Sequence, residues 1–236
     1  MTYKDYLTIV ISCFALTISI ISLIISIIQK NKETRRTIRK NLSDTLENVT
    51  KINIEFAKLK HNEQEYNTDN FIELRRIYNS QKRILIAHAD YLTTNYDYMV
   101  TDIDCNLLAG AYSDIGDYTK ADNYWIKTIQ KSASNSVKHM NLRGYARFLF
   151  FQGKFQLGRS KYEESLKVEL PDTDNYRRQL TDTYIMWATV EREFNNESET
   201  RRLIDLAKSY CSRIGHSKMR QEMDERINNF DPIDDK

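Results

Sequence analysis

The chain has 236 residues, of which 29% are charged and 11% aromatic, so most of it can build a packed core. It contains six glycines and two prolines, and Gly110 is the first glycine. An all-β fold needs many tight turns and is excluded by this composition, which predicts an all-α chain of long helices. The net charge of +2 is uneven, because residues 1–40 carry seven basic and two acidic side chains and the remainder carries 28 and 31. We therefore expect no nucleic-acid partner for the body of the chain.

Residues 1–29 contain an uncharged run of 23 residues, from Tyr6 to Ile28. As a helix it is about 34 Å long, enough to cross a hydrocarbon core of about 30 Å. A core helix would be polar on one face, and a cleaved signal peptide would have a shorter apolar region with small residues near its end. A lipoprotein processing box at Val10 to Cys13 is an alternative, although most of the apolar residues follow Cys13. The run predicts a single retained transmembrane helix.

Residues 30–40 form a basic juxtamembrane segment, whereas only Lys4 precedes the apolar run. The positive-inside rule then places the N-terminus outside and the body in the cytoplasm, at a plasma or inner membrane. Three widely spaced cysteines without metal-ligand spacing agree with a reducing compartment. The basic side chains either contact anionic lipid headgroups or serve only as a topology signal. They are Lys30, Lys32, Arg35, Arg36, Arg39 and Lys40.

Small residues recur along the apolar run at spacings of four and three, which places them on one stripe of the helix. Such stripes let two transmembrane helices approach closely, so they predict self-association of the span. The alternative is that serine and threonine are merely tolerated in a single span. The stripe consists of Thr8, Ser12, Ala15, Ser19, Ser22 and Ser26.

Residues 41–95 show two apolar stripes at helical spacing, separated by a polar loop at residues 61–70. They predict an antiparallel helical hairpin, with a coiled coil between two copies as the alternative for the first helix. The transmembrane helix can continue straight into that first helix. The first stripe is Leu42, Leu46, Val49, Ile52, Phe56 and Leu59. The second is Phe71, Leu74, Tyr78, Ile84, Leu85, His88, Tyr91 and Leu92.

From residue 101 the sequence matches itself at a period of 37 residues. In each copy a helix with small and aromatic residues ends at a glycine, where a left-handed conformation is easy. A second helix then places a small residue where the two helix axes come closest. The matched pairs are Ala109 and Ala146, Gly116 and Gly153, Ala121 and Gly158, Trp125 and Tyr162, and Ile129 and Leu166.

This pattern resembles the tetratricopeptide repeat family, whose period is 34 residues. Leu149 departs from it where the first copy has the aromatic Tyr112. Pro171 supplies the terminal proline of the second copy, whereas the first copy has Ala133 near its end. The resemblance covers residues 101–214 and implies an α-solenoid of about three repeats, with coincidental helical hairpins as the alternative. The third copy lacks the turn glycine; its matching residues are Trp187, Val190, Phe194, Leu203, Ala207 and Tyr210.

Residues 217–236 predict a capping helix, Lys218 to Phe230, and an acidic tail. The four histidines are scattered, and no nucleophile, phosphate-loop or metal-ligand motif is present. We therefore expect no enzyme activity, no cofactor and no metal.

In tetratricopeptide proteins the first helices of the repeats line a concave groove, and the alignment places Asn106, Arg143, Arg147 and Arg192 there. Guanidinium and amide groups can hold an acidic motif or a peptide C-terminal carboxylate. The alternative is a salt-bridged face, since Glu191 and Glu193 lie nearby. Phe151 is a candidate hydrophobic anchor.

These features predict a membrane-anchored scaffold or adaptor that holds a protein or peptide partner at the cytoplasmic face. The alternative is a self-associating membrane effector or structural subunit acting through its serine-rich span, with the repeats as sensor.

Overall fold

A computed structural model describes the backbone of residues 3–61 and 68–230 and the side chains of residues 14–58 and 71–230. Over these residues the chain is helical and contains no strand, which confirms the all-α prediction. It forms two compact units, residues 1–100 and residues 101–236. The helices are α1 (Tyr3–His61), α2 (Thr68–Asn95), α3 (Asp102–Asp114), α4 (Tyr118–Gln130), α5 (Asn135–Phe151), α6 (Phe155–Leu166), α7 (Asp174–Glu193), α8 (Glu197–Ser212) and α9 (Ser217–Phe230), with a short 3₁₀ helix at Asp97–Met99.

The first unit is built around α1, a single helix of 59 residues that runs through the apolar run, the basic segment and the first amphipathic stripe. Among its described residues, the part that begins at Phe14 is long and apolar enough to cross a membrane, and its apolar window is not buried by any other part of the chain. Leu59, Thr8 and Ser12 lie outside the residues whose side chains are described, as do the predicted loop at residues 61–70 and the acidic tail at residues 231–236.

Helix α2 packs along the C-terminal part of α1 as the second half of a hairpin. Leu42, Leu46 and Val49 of α1 are buried in this contact. The rings of Phe56 and Tyr78 lie 5.7 Å apart, farther along the same pair. The buried residues on α2 are Ile86, Ala89, Leu92 and Thr93.

The second stripe was predicted partly on the wrong face of α2. Ile84 is 68% exposed and Tyr91 is 60% exposed, whereas Ile86 is buried. The predicted set stepped six residues from Tyr78 to Ile84, which rotates about 240° around a helix and leaves the buried face. His88 is also exposed, although its Nδ1 lies 3.2 Å from the Thr45 hydroxyl oxygen.

The second unit consists of three helical hairpins, α3 with α4, α5 with α6, and α7 with α8, and α9 packs on α7 and α8. The first helix of every hairpin ends at a residue with positive φ, namely Gly116 (82°), Gly153 (70°) and Asn195 (59°). The next residue donates its N–H to a carbonyl five positions earlier at 2.9–3.0 Å, which closes all three turns in the same way. Asn195 therefore adopts the left-handed conformation that glycine adopts in the first two hairpins.

Small residues let the two helices of a hairpin approach each other. Ala109, Ala146 and Ala188 each precede the left-handed residue by seven positions, and all three are fully buried. Gly158 of α6 faces α5 so closely that an added Cβ would lie 2.5 Å from the buried Phe150 ring and 3.1 Å from the Ala146 carbonyl oxygen. The hairpin core therefore has no room for a side chain at this crossing.

Glycine-to-alanine substitutions distinguish the turn from the helix interior. Gly153→Ala places a Cβ on a left-handed residue with no steric neighbour within 4 Å, so we expect a loss of about 1 kcal/mol. Gly110→Ala, in the interior of α3 and also without a neighbour, is the matched control and should gain about 0.5–1 kcal/mol. Both tryptophans lie in the second unit, so urea unfolding followed by tryptophan fluorescence measures both changes. Equal signs for the two variants would contradict the turn assignment.

The close crossing in the second hairpin predicts a larger effect for Gly158→Ala. The new methyl group must displace a fully buried ring and a main-chain oxygen, so we expect a loss of about 2–3 kcal/mol in the free energy of unfolding. The double variant Gly158→Ala with Phe150→Leu should recover part of that loss, because the leucine vacates the ring position. An unchanged urea midpoint for Gly158→Ala would show that the helices are not this close.

Candidate functional site

A cavity of about 470 Å³ lies on the second unit, between α5, α7 and α9. One wall is apolar and contains the exposed Met140 and the buried Met223. The other residues that line it are polar or charged, and they include three arginines and one carboxylate. They are Ser136, Arg143, Asn175, Arg178, Gln179, Asp182 and Arg226.

Asp182 holds two of the three arginines. Its carboxylate oxygens lie 2.5 Å from Nη1 of Arg143 and 2.6 Å from Nη1 of Arg226. The Arg143 side chain is 13% exposed, and it also donates to the Thr183 hydroxyl at 3.3 Å. Arg178 is exposed at the edge of the cavity. Three positive charges against one negative charge leave the cavity with positive potential that favours an anionic ligand.

The cavity repeats the register of the hairpins. Ser136 and Arg178 both lie 17 positions before the left-handed residue of their hairpin, and Met140 and Asp182 both lie 13 positions before it. Equivalent positions on consecutive first helices therefore line one surface. The two copies are joined directly, because the Gln179 amide nitrogen donates to the Ser136 carbonyl at 3.1 Å.

The five residues predicted for the groove do not converge. Arg143 lines the cavity, whereas Asn106, Arg147, Phe151 and Arg192 do not. Arg192 donates to the Phe230 carbonyl at 2.6 Å and lies 3.9 Å over the Phe230 ring, so it fastens α7 to the end of α9. Asn106 is half-buried on α3.

Phe151 ends α5 and is 52% exposed, whereas Phe148 and Phe150 are buried. The Arg147 guanidinium lies 5.4 Å over the Phe151 ring, and the Phe194 ring meets the Phe151 ring edge-on at 6.1 Å. Arg147 and Phe151 thus share a small aromatic surface beside the turns, apart from the residues that line the cavity.

Glu191 belongs to the hairpin interior. Its buried carboxylate accepts two hydrogen bonds from Arg159 at 2.7 Å, one from the Trp187 indole at 3.0 Å and one from Asn196 at 2.7 Å. Burial raises the pKa of Glu191, but these hydrogen bonds outweigh burial and hold that pKa below its ordinary value. The carboxylate ties α6 to α7 and to the third turn, and it is not available to a partner.

His139 lies behind the cavity, on α5, and is fully buried. Its Nε2 lies 2.7 Å from the hydroxyl oxygen of Thr183, which also accepts from Arg143. Burial, followed by the positive charge of Arg143, lowers the pKa of His139 to about 4. The folded chain therefore keeps this imidazole neutral at physiological pH.

The predicted small-residue stripe is exposed on α1 at Ala15, Ser19, Ser22 and Ser26, and the Ser19 hydroxyl donates to the Ala15 carbonyl at 2.8 Å. Ser12 lies outside the described side chains. Five of the six basic residues after the apolar run are exposed and Arg39 is half-buried. Among the described residues, no group of three or more metal-ligating side chains is placed to hold an ion.

Comparison with protein-family models, with curated proteins and with solved structures finds no match to this chain.

Arg178, Asp182 and Arg226 were missed in the sequence. The third copy has no turn glycine, so the sequence alone does not show which of its residues correspond to Ser136 and Met140. Taking Asn195 as the left-handed residue brings Arg178 and Asp182 into register. Arg226 of α9 lies outside the repeat, and only the packing of α9 on α7 brings it to Asp182.

The neutral His139 predicts a pH dependence of stability. Since its pKa falls from about 6.5 unfolded to about 4 folded, the unfolded chain binds the extra proton. The stability is present above pH 6.5 and is lost as pH falls toward 4, by up to about 1.4 kcal/mol per unit. His139→Gln should flatten this part of the curve in urea unfolding followed by tryptophan fluorescence. His216→Gln, which removes an exposed histidine, is the control; equal flattening by both variants would contradict the assignment.

Proposed function

We propose that this chain is a single-pass membrane protein whose tetratricopeptide-like repeats hold a protein partner at the cytoplasmic face of the membrane. The main support for this proposal is the cavity that equivalent positions of two consecutive hairpins form. Arg143, Arg178 and Arg226 lie around Asp182 in this cavity. Repeats that place successive first helices side by side form surfaces suited to an extended peptide.

The charges of the cavity favour an acidic segment. Arg143 and Arg226 are already held by Asp182, so their guanidinium groups are positioned before a ligand arrives. Arg178 is exposed at the edge of the cavity and is the one of these three arginines that Asp182 does not hold, so it is the group best placed to pair with an incoming carboxylate. Met140, which is 49% exposed, and Met223 offer an apolar wall for a neighbouring side chain.

The three turns support the repeat assignment, because each hairpin ends its first helix with the same left-handed residue and the same backbone hydrogen bond. The uncharged run from Tyr6 to Ile28 and the basic segment that follows it support a membrane span with the repeats in the cytoplasm. The continuity of α1 from Tyr3 to His61 would transmit that anchor rigidly to the hairpin of the first unit.

The test is crosslinked capture from native membranes with the full-length chain, Arg178→Glu and Arg201→Glu. Both variants reverse one exposed arginine in the second unit, on α7 at the cavity and on α8 away from it. We expect a protein that is enriched with the parent and with Arg201→Glu but reduced at least 10-fold with Arg178→Glu, as measured by quantitative mass spectrometry.

Two outcomes would contradict this proposal. If both variants capture the same proteins as the parent, the cavity is not the partner site. If the chain recovers only itself, the self-associating membrane effector is favoured, and replacing its span by a poly-leucine helix should then abolish self-recovery.

A further inference from the structure

The hairpin of the first unit brings the end of α2 back to the basic segment of α1. Three contacts set its register: Phe56 with Tyr78, Thr45 with His88, and Arg35 with Tyr98. Between successive contacts the position on α1 decreases by eleven and then ten residues, while the position on the α2 side increases by ten residues each time. The two segments are therefore antiparallel. The 3₁₀ helix at Asp97–Met99 therefore lies beside the residues that follow the apolar run.

A shallow groove of about 540 Å³ forms where these segments meet. Arg35, Arg36 and Lys40 line it from α1, and Met99 lines it from the 3₁₀ helix. The Arg35 guanidinium lies 5.4 Å over the ring of Tyr98, which is 66% exposed. Arg39, Ser43 and Asp44 also line the groove, so its lining carries four basic side chains and one carboxylate.

The end of the groove at Arg35 is the part nearest to the apolar run. Arg35 follows Ile28 by seven residues, which is about 10 Å along a helix. The polar layer on each side of a bilayer is about 5–8 Å deep, and an arginine side chain can bend back into it. Tyr98 lies beside the Arg35 guanidinium and therefore near the outer edge of this polar layer.

We propose that Arg35, Arg36 and Tyr98 form a docking surface for the phosphodiester headgroups of anionic phospholipids. This inference rests on the proposed membrane span. It adds Tyr98, which is 63 positions away from Arg35 in the sequence, to the surface that faces the membrane. The guanidinium groups bind the phosphate, and the Tyr98 ring packs against Arg35 and holds its guanidinium in place. Together they fix the hairpin against the membrane surface.

The chain contains a matched control for charge. Arg75, Arg76 and Arg83 line a second open groove on α2. By the register of the hairpin, Arg75 lies opposite residue 58 of α1, about 45 Å beyond Ile28. At physiological ionic strength the surface potential of a membrane decays within about 8 Å, so these arginines cannot reach the headgroups.

The experiment titrates the detergent-solubilised full-length chain with phosphatidylglycerol or phosphatidylcholine and measures bound lipid by native mass spectrometry. We expect Arg35→Gln with Arg36→Gln to weaken phosphatidylglycerol binding on the order of 10-fold, while Arg75→Gln with Arg76→Gln changes it less than 2-fold. Tyr98→Ala should also weaken phosphatidylglycerol binding several-fold without a change of charge, whereas Tyr98→Phe, which keeps the ring, should bind like the parent. Circular dichroism of each variant checks that the helices are retained.

Carbonate extraction of vesicles that contain the parent chain distinguishes failure of the proposed membrane span from failure of the docking surface alone. If carbonate strips the chain from the vesicles, the proposed span is wrong and the docking surface fails with it. If the chain is retained and the two double variants weaken binding equally, net charge is the cause and only the docking surface is overturned. Unchanged binding for Tyr98→Ala would overturn the contribution of the 3₁₀ helix.

Discussion

The close approach of the two helices in each hairpin is the constraint on which the second unit depends. It requires a fully buried small residue seven positions before the turn and a turn residue that accepts a left-handed backbone. Glycine meets the second requirement twice, and Asn195 meets it in the third hairpin. Asparagine tolerates this conformation better than most residues, so the hairpin survives the loss of the glycine.

Once the turns are fixed, the first helices of consecutive hairpins are brought into a common register. That register places Met140 and Asp182 at equivalent positions. The Asp182 carboxylate forms ion pairs with Arg143 of α5 and with Arg226 of α9. Two titratable side chains behind this surface add no free charge to the cavity. Glu191 holds Arg159, and His139 stays neutral beside Thr183, so the charge that faces the cavity comes from the arginines and Asp182.

The first unit follows a different principle, because the described part of the apolar run, from Phe14 onward, is exposed and α2 packs on α1 only farther along. The antiparallel return of α2 joins two segments that are far apart in the sequence, Arg35 with Tyr98. A basic segment that the sequence explains as a topology signal thereby acquires an aromatic neighbour. The proposed lipid surface depends on this neighbour.

The sequence alone determined the helical class, the uncharged run and the alternation of helices with turns in residues 101–214, because these features depend on local spacing and on breaker residues. It misplaced Ile84 and Tyr91, since a six-residue gap in an apolar pattern leaves the helical phase open. It also grouped Arg143 with Arg192, which both lie on the first helix of a hairpin but do not lie on the same surface. Only the tertiary structure decided which arginines face one cavity, because Arg226 reaches Asp182 through the packing of α9 and Arg192 is held by the Phe230 carbonyl. Contacts between residues this far apart depend on the crossing of whole helices, and no local pattern in the sequence specifies that crossing.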